Sequence, residues 1–445
     1  MFCERRSLCR VGQRGADGGS RVHDVSHPAL QQCLLCMRQS RREGRTAHGP
    51  ARRQASRTMG RRRIRRILLV SLVVCLAFAV AGAALTVYID GESVALPAPS
   101  GPYAIGRLSY DWVDPSRHDP FAANPAVRRE LLVWIWYPAV RSSEPPGRYL
   151  PGAWGRLLAP DKGPIPAARL ENLRAYAVDH VAAAPGRAPY PVLIMEPGVG
   201  RVPLEYTAIA DDLASHGYVV VGVTPTESAS AVVFPDGRVI RATPAASEPD
   251  QGSATAYRRW GNAVVGIWAR DIAFVLTRIQ RLAVAPQGTL ASHLDLRRVG
   301  VFGHSLGGAA AIEFCHRDRR CTAAADLDGD PFGAVTTSGL RQPVLFMHSD
   351  QGPCDYAGCA AARQAQRSIL AHAARGSADL TIHGTLHNNF TDDALFSRFP
   401  LPRSLLLLGP INGRRGLMLT NTSLQTFFDR SLSQVRIALG PFFSR

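Results

Sequence analysis

Serine, aspartate and histidine follow one another along this chain in an order that suits acyl transfer. Residues 299–312 read Val-Gly-Val-Phe-Gly-His-Ser-Leu-Gly-Gly-Ala-Ala-Ala-Ile. A short β-branched strand runs into Gly303-His304-Ser305-Leu306-Gly307, and an alanine-rich helix follows at once. That layout predicts a nucleophile elbow, a tight strand–turn–helix that lifts a serine hydroxyl to the top of a parallel sheet. Glycines two before and two after the serine remove the Cβ atoms that would clash where strand and helix cross. The competing reading is an ordinary glycine-rich turn with a buried serine; the flanking strand and helix argue against it.

A serine hydroxyl needs a base to take its proton, an acid to hold that base, and donors for the developing oxyanion. In an elbow fold these follow in the chain order serine, acid, histidine. The later histidines are His316, His348, His372, His383 and His387. His316 and His372 fall on helices, as surface residues, and His348 and His383 at strand ends. His387 sits in Gly384-Thr-Leu-His-Asn-Asn-Phe390, a loop after the last strand, where a base should hang over Ser305. For the acid, Asp328 ends the strand 323–327, while Asp350 and Asp355 follow the next one. Strand alternation sends Asp326 and Asp328 to one side, with Asp328 nearer the carboxyl end where such sites form; Asp328 is therefore the favoured acid. One oxyanion donor should be the Leu306 N–H, at the start of a helix whose dipole favours negative charge. The other should come from the turn Gly198-Val199-Gly200.

The elements that must position these groups alternate. Strands are expected at Glu130 to Tyr137 (stopped by Pro138), Pro191 to Met195 and Tyr218 to Val223, with helices at Leu204 to His216 and Trp260 to Leu282. After the elbow, strands end at Leu327, Met347 and Ile382, with helices near Ala360–His372 and Thr420 to Ser433. A hairpin turn is expected at Phe234-Pro-Asp-Gly-Arg238. Alternation of short apolar strands with helices implies a mostly parallel sheet covered on both faces.

The chain has 445 residues and a formal charge of +17. Residues 1–66 hold 17 arginines against four acids, or +13, which leaves about +4 for the rest and calls for no nucleic-acid partner. Ile67 to Ile89 is an uncharged run of 23 residues behind Arg61-Arg62-Arg63 and Arg65-Arg66. Roughly 20 apolar residues cross a bilayer, with flanking arginines on the cytoplasmic side. The expected organisation is a basic disordered extension at 1–60, a transmembrane signal anchor at 61–89, a linker at 90–100 and an extracytoplasmic catalytic domain at 101–445. A signal peptide cleaved near Ala81-Gly82-Ala83 is the alternative, and Met59 is an alternative start. Cys33 and Cys36, near Cys3, Cys9, His23 and His27, match no zinc module, so no metal is expected. Cys315/Cys321 and Cys354/Cys359 could form disulfides within or between the pairs, or stay as buried thiols.

With these residues placed, the chain resembles the platelet-activating factor acetylhydrolase family of α/β-hydrolases, in its plasma-like or type II branch. The resemblance runs over about 100–435. It rests on Pro99-Ser-Gly-Pro-Tyr103, Trp134-Ile-Trp-Tyr-Pro138, Asp212-Leu-Ala-Ser-His-Gly217, the elbow, Leu327-Asp-Gly329, Gln342-Pro-Val-Leu-Phe346 and Gly384–Phe390. It implies an α/β-hydrolase fold, a Ser305–Asp328–His387 triad, oxyanion donors at Val199 and Leu306, and no cofactor. The chain has Pro197-Gly198 where family members often carry His-Gly. The expected activity is carboxylic-ester hydrolysis through an acyl-enzyme, on short-acyl esters or acetylated or oxidised phospholipids. A cutinase- or polyesterase-like lipase and an inactive hydrolase-fold binding protein are the alternatives.

Overall fold

The computed structural model describes residues 63–82, 95–162, 167–186, 189–249, 253–350, 358–396 and 403–433. The residues fall into two units, 1–86 and 87–445. The basic leader with its cysteines and Met59, the expected anchor beyond Gly82, Cys354 and Asp355 lie outside the described residues. In the first unit, Arg63–Gly82 is a single helix, α1, of 20 residues with a mean hydropathy of 2.3, every residue exposed. It is long and apolar enough to cross a bilayer.

The second unit is built on one nine-stranded sheet. Its strands are β1 (Ala104–His118), β2 (Arg128–Ala139), β3 (Val178–Asp179), β4 (Tyr190–Glu196), β5 (Val219–Val223), β8 (Leu294–His304), β9 (Ala323–Leu327), β10 (Val344–Ser349) and β11 (Ala378–Ile382). They lie in the order β11-β10-β9-β8-β4-β5-β2-β1-β3, and β6 (Ala231–Val233) and β7 (Val239–Arg241) form the separate hairpin. From β11 to β5 all pairings are parallel; β2 is antiparallel to both β5 and β1.

The helices are α2 (Trp154–Leu158), α3 (Ala167–Asn172), α4 (Thr207–Ser215), α5 (Ala254–Ala283), α6 (Leu306–Arg317), α7 (Val335–Ser338), α8 (Cys359–His372), α9 (Asp393–Phe396) and α10 (Gly413–Ser433). Both sheet faces are buried, as near-continuous apolar strands require. In β2, Leu132, Trp134 and Trp136 pack on one face with Ile209 and Leu213 of α4 and Leu424 and Phe428 of α10. Leu131, Val133 and Ile135 point the other way, onto Val264, Trp268 and Ile272 of α5 and Ala310 and Phe314 of α6. Side chains that alternate with a period of two sort themselves onto the two layers.

Three departures from expectation have local causes. β2 runs through Pro138 rather than stopping before it. Its carbonyl accepts from Ala184 N at 2.9 Å, away from β1, so the missing N–H breaks no bond to that neighbour. The helix expected from Leu204 opens as a 3₁₀ turn, Pro203–Tyr206, and only then becomes α4. The end of the expected linker is packed: Leu96 is buried and Ser100 N donates to Asp212 Oδ1 at 2.7 Å. Strand β1 and helices α2 and α3 had no clear sequence signal. Cys315 and Cys321 are bonded to each other, and Cys359 is also in a disulfide.

Candidate active site

Ser305 stands where β8 turns into α6, with φ 56° and ψ −129°. That left-handed backbone is costly for a residue with a side chain, and it persists because the surroundings leave no alternative. A Cβ on Gly303 would come within 2.3 Å of the Gly307 backbone, and one on Gly307 within 2.2 Å of the Glu196 carbonyl. The elbow therefore closes only with glycine at both positions. Ser305 N donates to Leu327 O at 2.8 Å, which ties Ser305 to the end of β9.

The next residue after β9 is Asp328, also at positive φ (60°). Its place is set by this turn, and not by alternation along the strand. The side chain of Asp326 goes elsewhere: it is buried, and its Oδ1 accepts from Gly329 N at 2.9 Å. Burial, then the nearby negative charge of Asp328, raises the Asp326 pKa well above the usual carboxylate range. Asp328 Oδ2 accepts from His387 Nδ1 at 2.7 Å and from Ser349 Oγ at 2.9 Å, while Oδ1 accepts from Ser349 N at 2.8 Å. Burial alone would raise the Asp328 pKa; the bond from His387 and the two from Ser349 outweigh it and hold the carboxyl at about 2. A carboxylate can only accept, so Nδ1 of His387 carries a hydrogen, and in the neutral ring Nε2 keeps a lone pair.

His387 opens a short 3₁₀ turn, His387–Phe390, in the loop after β11. Asp350, the rival acid, braces that loop instead. Its Oδ2 accepts from Gly384 N at 3.0 Å, and its Oδ1 lies 3.4 Å from His383 Nδ1. His348 pairs with Asp379 at 2.8 Å, and His316 Nδ1 and His372 Nδ1 contact the carbonyls of Gly339 and Ser368. Of the histidines weighed from sequence, His387 alone touches Asp328 among the described contacts.

Ser305, Asp328 and His387 line one cavity of about 570 Å³, together with Gly198, Val199 and Leu306. The N–H groups of Val199 and Leu306 take no hydrogen bond among the described residues. The turn that carries Val199 is braced: Gly200 N donates to Ser228 O and Arg201 N to Gly198 O. Behind it, buried Glu205 accepts from Val202 N and from Arg201, and Lys162 and Asp393 complete an ion cluster with them. On the far wall stand Tyr257, Trp260 and Phe332; Tyr257 and Trp260 stack at 6.0 Å and Tyr257 meets Phe332 edge-on at 5.4 Å.

Sequence reasoning did not single out Ser349, Tyr206 or Arg201. Ser349 could have been found as the β10 residue ending beside the Asp328 turn. Tyr206 and Arg201 also have partners in distant segments, His304 and Asp393, which their local sequence does not announce.

A parallel sheet carrying a strained serine elbow, with a carboxylate-held imidazole over its carboxyl edge, defines an α/β-hydrolase of the serine-esterase class. The family model described as "Platelet-activating factor acetylhydrolase, isoform II" matches residues 286–436. The chain is 25% identical over 381 residues to a probable 1-alkyl-2-acetylglycerophosphocholine esterase of Arthroderma benhamiae, covering 77% of this chain and 89% of that one. It is 26% identical over 291 residues to platelet-activating factor acetylhydrolase of Gallus gallus, covering 58% of this chain and 66% of that one. Among solved structures, a ferulic acid esterase from Streptomyces cinnamoneus superposes with a TM-score of 0.64 at 29% identity, over 77% of this chain and 94% of that one. The chain is related to the platelet-activating factor acetylhydrolase family.

Proposed function

We propose that the protein hydrolyses carboxylic esters through a Ser305 acyl-enzyme. The observation that carries this is the His387–Asp328 pair facing the same cavity as the strained serine, with two unspent backbone donors beside it. Nε2 of His387 takes the Ser305 proton as Oγ attacks the acyl carbon. The oxyanion settles on the N–H groups of Val199 and Leu306, each donor of this kind being worth roughly 3 kcal/mol of barrier. The imidazolium then protonates the departing alcohol, and water repeats the sequence to release the acid. Asp328 orients the ring and stabilises its cation throughout.

Short-acyl esters, including acetylated or oxidised phospholipids, are the favoured substrates; the fungal relative is named for an acetylglycerophosphocholine and the vertebrate one for acetyl hydrolysis. A second reading is favoured by the Tyr257–Trp260–Phe332 wall and by the ferulic acid esterase likeness: esters with a flat aromatic acid, as in a polyesterase-like enzyme. The helix Arg63–Gly82 acts as the anchor (61–89), with its arginines in the cytoplasm and the catalytic domain (101–445) outside. A fluorophosphonate probe should label folded protein but not Ser305→Ala, and p-nitrophenyl esters should turn over fastest at short chain length. A folded wild-type chain that takes no label would instead be a binding protein. Faster turnover of methyl ferulate than of acetyl-phospholipid would select the aromatic reading.

A further inference from the structure

Two buried side chains join the oxyanion turn to the loop that carries the base. Gly198 N donates to Tyr206 Oη at 3.1 Å, Tyr206 Oη lies 2.9 Å from His304 Nδ1, and His304 Nε2 lies 3.0 Å from the His387 carbonyl oxygen. Both residues are buried, with Tyr206 1% and His304 2% exposed.

The end groups of this chain fix every proton in it. The His387 carbonyl can only accept, so His304 Nε2 must donate and carries a hydrogen. Burial, then the neighbouring His387, pushes the His304 pKa well below the ordinary imidazole value, so the ring is neutral and Nδ1 has a lone pair. Nδ1 therefore accepts the Tyr206 hydroxyl hydrogen, which leaves a Tyr206 oxygen lone pair for Gly198 N–H. All three bonds run in one direction with no polar atom wasted, and bonds in such a series polarise one another. The His304 ring also lies 4.4 Å from that of His387, within the packing that sets the orientation of the base.

We infer that Tyr206 and His304 are positioning residues: their hydrogen-bond bridge holds the Val199 donor and the His387 base in register across Ser305. The inference rests on the catalytic reading of those three residues. Gly198 is the residue before the Val199 donor, and the His387 carbonyl belongs to the base itself. A shift at either end of the bridge is passed to the other.

The test uses full-length protein with Tyr206→Phe, His304→Gln and the double variant. Phenylalanine keeps the ring but removes the central hydroxyl; glutamine can still donate to the His387 carbonyl but loses the imidazole geometry toward Tyr206. Each single variant should lower kcat on p-nitrophenyl acetate roughly 10- to 100-fold with KM within about 2-fold, because misplaced donors and base matter in the transition state. Affinity for a boronic acid, which forms a tetrahedral Ser305 adduct, should fall in parallel. The double variant should be no worse than the poorer single by more than about 2-fold, as members of one chain are not additive. Tyr206→Phe with a lowered melting temperature but unchanged kcat and boronate affinity would overturn the bridge and leave the esterase reading intact. So would single losses that multiply in the double variant. A wild-type protein that hydrolyses no ester would sink the esterase reading and the bridge together.

Discussion

The roles of individual side chains follow from which proton each can hold. Among the described contacts Asp328 receives three donors; it is almost fully buried and stays ionised far below neutrality. In the proposed reaction, replacing it with asparagine removes the charge that stabilises the imidazolium and offers Nδ1 the wrong partner, so Asp328→Asn should lower kcat by about 10⁴-fold. His387→Ala should cost at least as much. Asp350→Asn, whose carboxylate braces the Gly384 N–H and faces His383, should stay within about 10-fold of wild type, since it touches neither His387 nor the cavity. Steady-state kinetics on one activated ester ranks all three; equal losses for Asp328 and Asp350 would contradict the geometry. Ser305 and His387 were legible because an elbow has a fixed spelling and the base has few candidates. Asp328 was reached partly for a wrong reason, since a left-handed turn, invisible in the residue types, aims it. The Tyr206–His304 bridge was illegible: 98 residues separate partners that only the folded sheet brings together.

At the level of elements, period and punctuation carried most of the sheet. β4, β5, β8, β9 and β10 read as short apolar runs because parallel strands are buried on both faces. β1 escaped notice because polar and charged residues interrupt it, and its register comes from pairing with β2. The helix α4 has a titration behaviour of its own. Asp211 on it is buried, with one oxygen unpartnered and the other accepting from Tyr176 N at 3.0 Å. Burial, only partly offset by that bond, raises its pKa to about 7. An acid whose pKa is higher folded than unfolded favours the native state below its unfolded value, near 4, and loses that advantage as pH rises to about 7. Stability measured by urea unfolding should thus carry a decline between pH 4 and 7 from this residue. Asp211→Asn, neutral throughout, should flatten that decline; an unchanged slope would show that the carboxyl is ionised in the native state.

For the whole molecule, the chain falls into residues 1–86, which hold the proposed anchor, and residues 87–445, which hold the proposed site. Every catalytic candidate lies in the second unit. Removing residues 1–86 should release a soluble protein whose kcat on p-nitrophenyl acetate stays within about 2-fold of the full chain, because no group in the proposed reaction is lost. Hydrolysis of esters embedded in vesicles should fall much further if the proposed anchor concentrates enzyme at the bilayer. Equal losses on both substrates would count against the division. Another property follows from the ion cluster behind the turn that carries Val199. Lys162 is the sole lysine of the protein, its side chain is fully buried, and it is paired with Glu205 and Asp393. Amine-directed reagents such as succinimidyl esters therefore find no side chain to acylate on the native molecule. Covalent tagging at that position reports how often the interior opens, so the rate of a simple labelling reaction becomes a clock for unfolding.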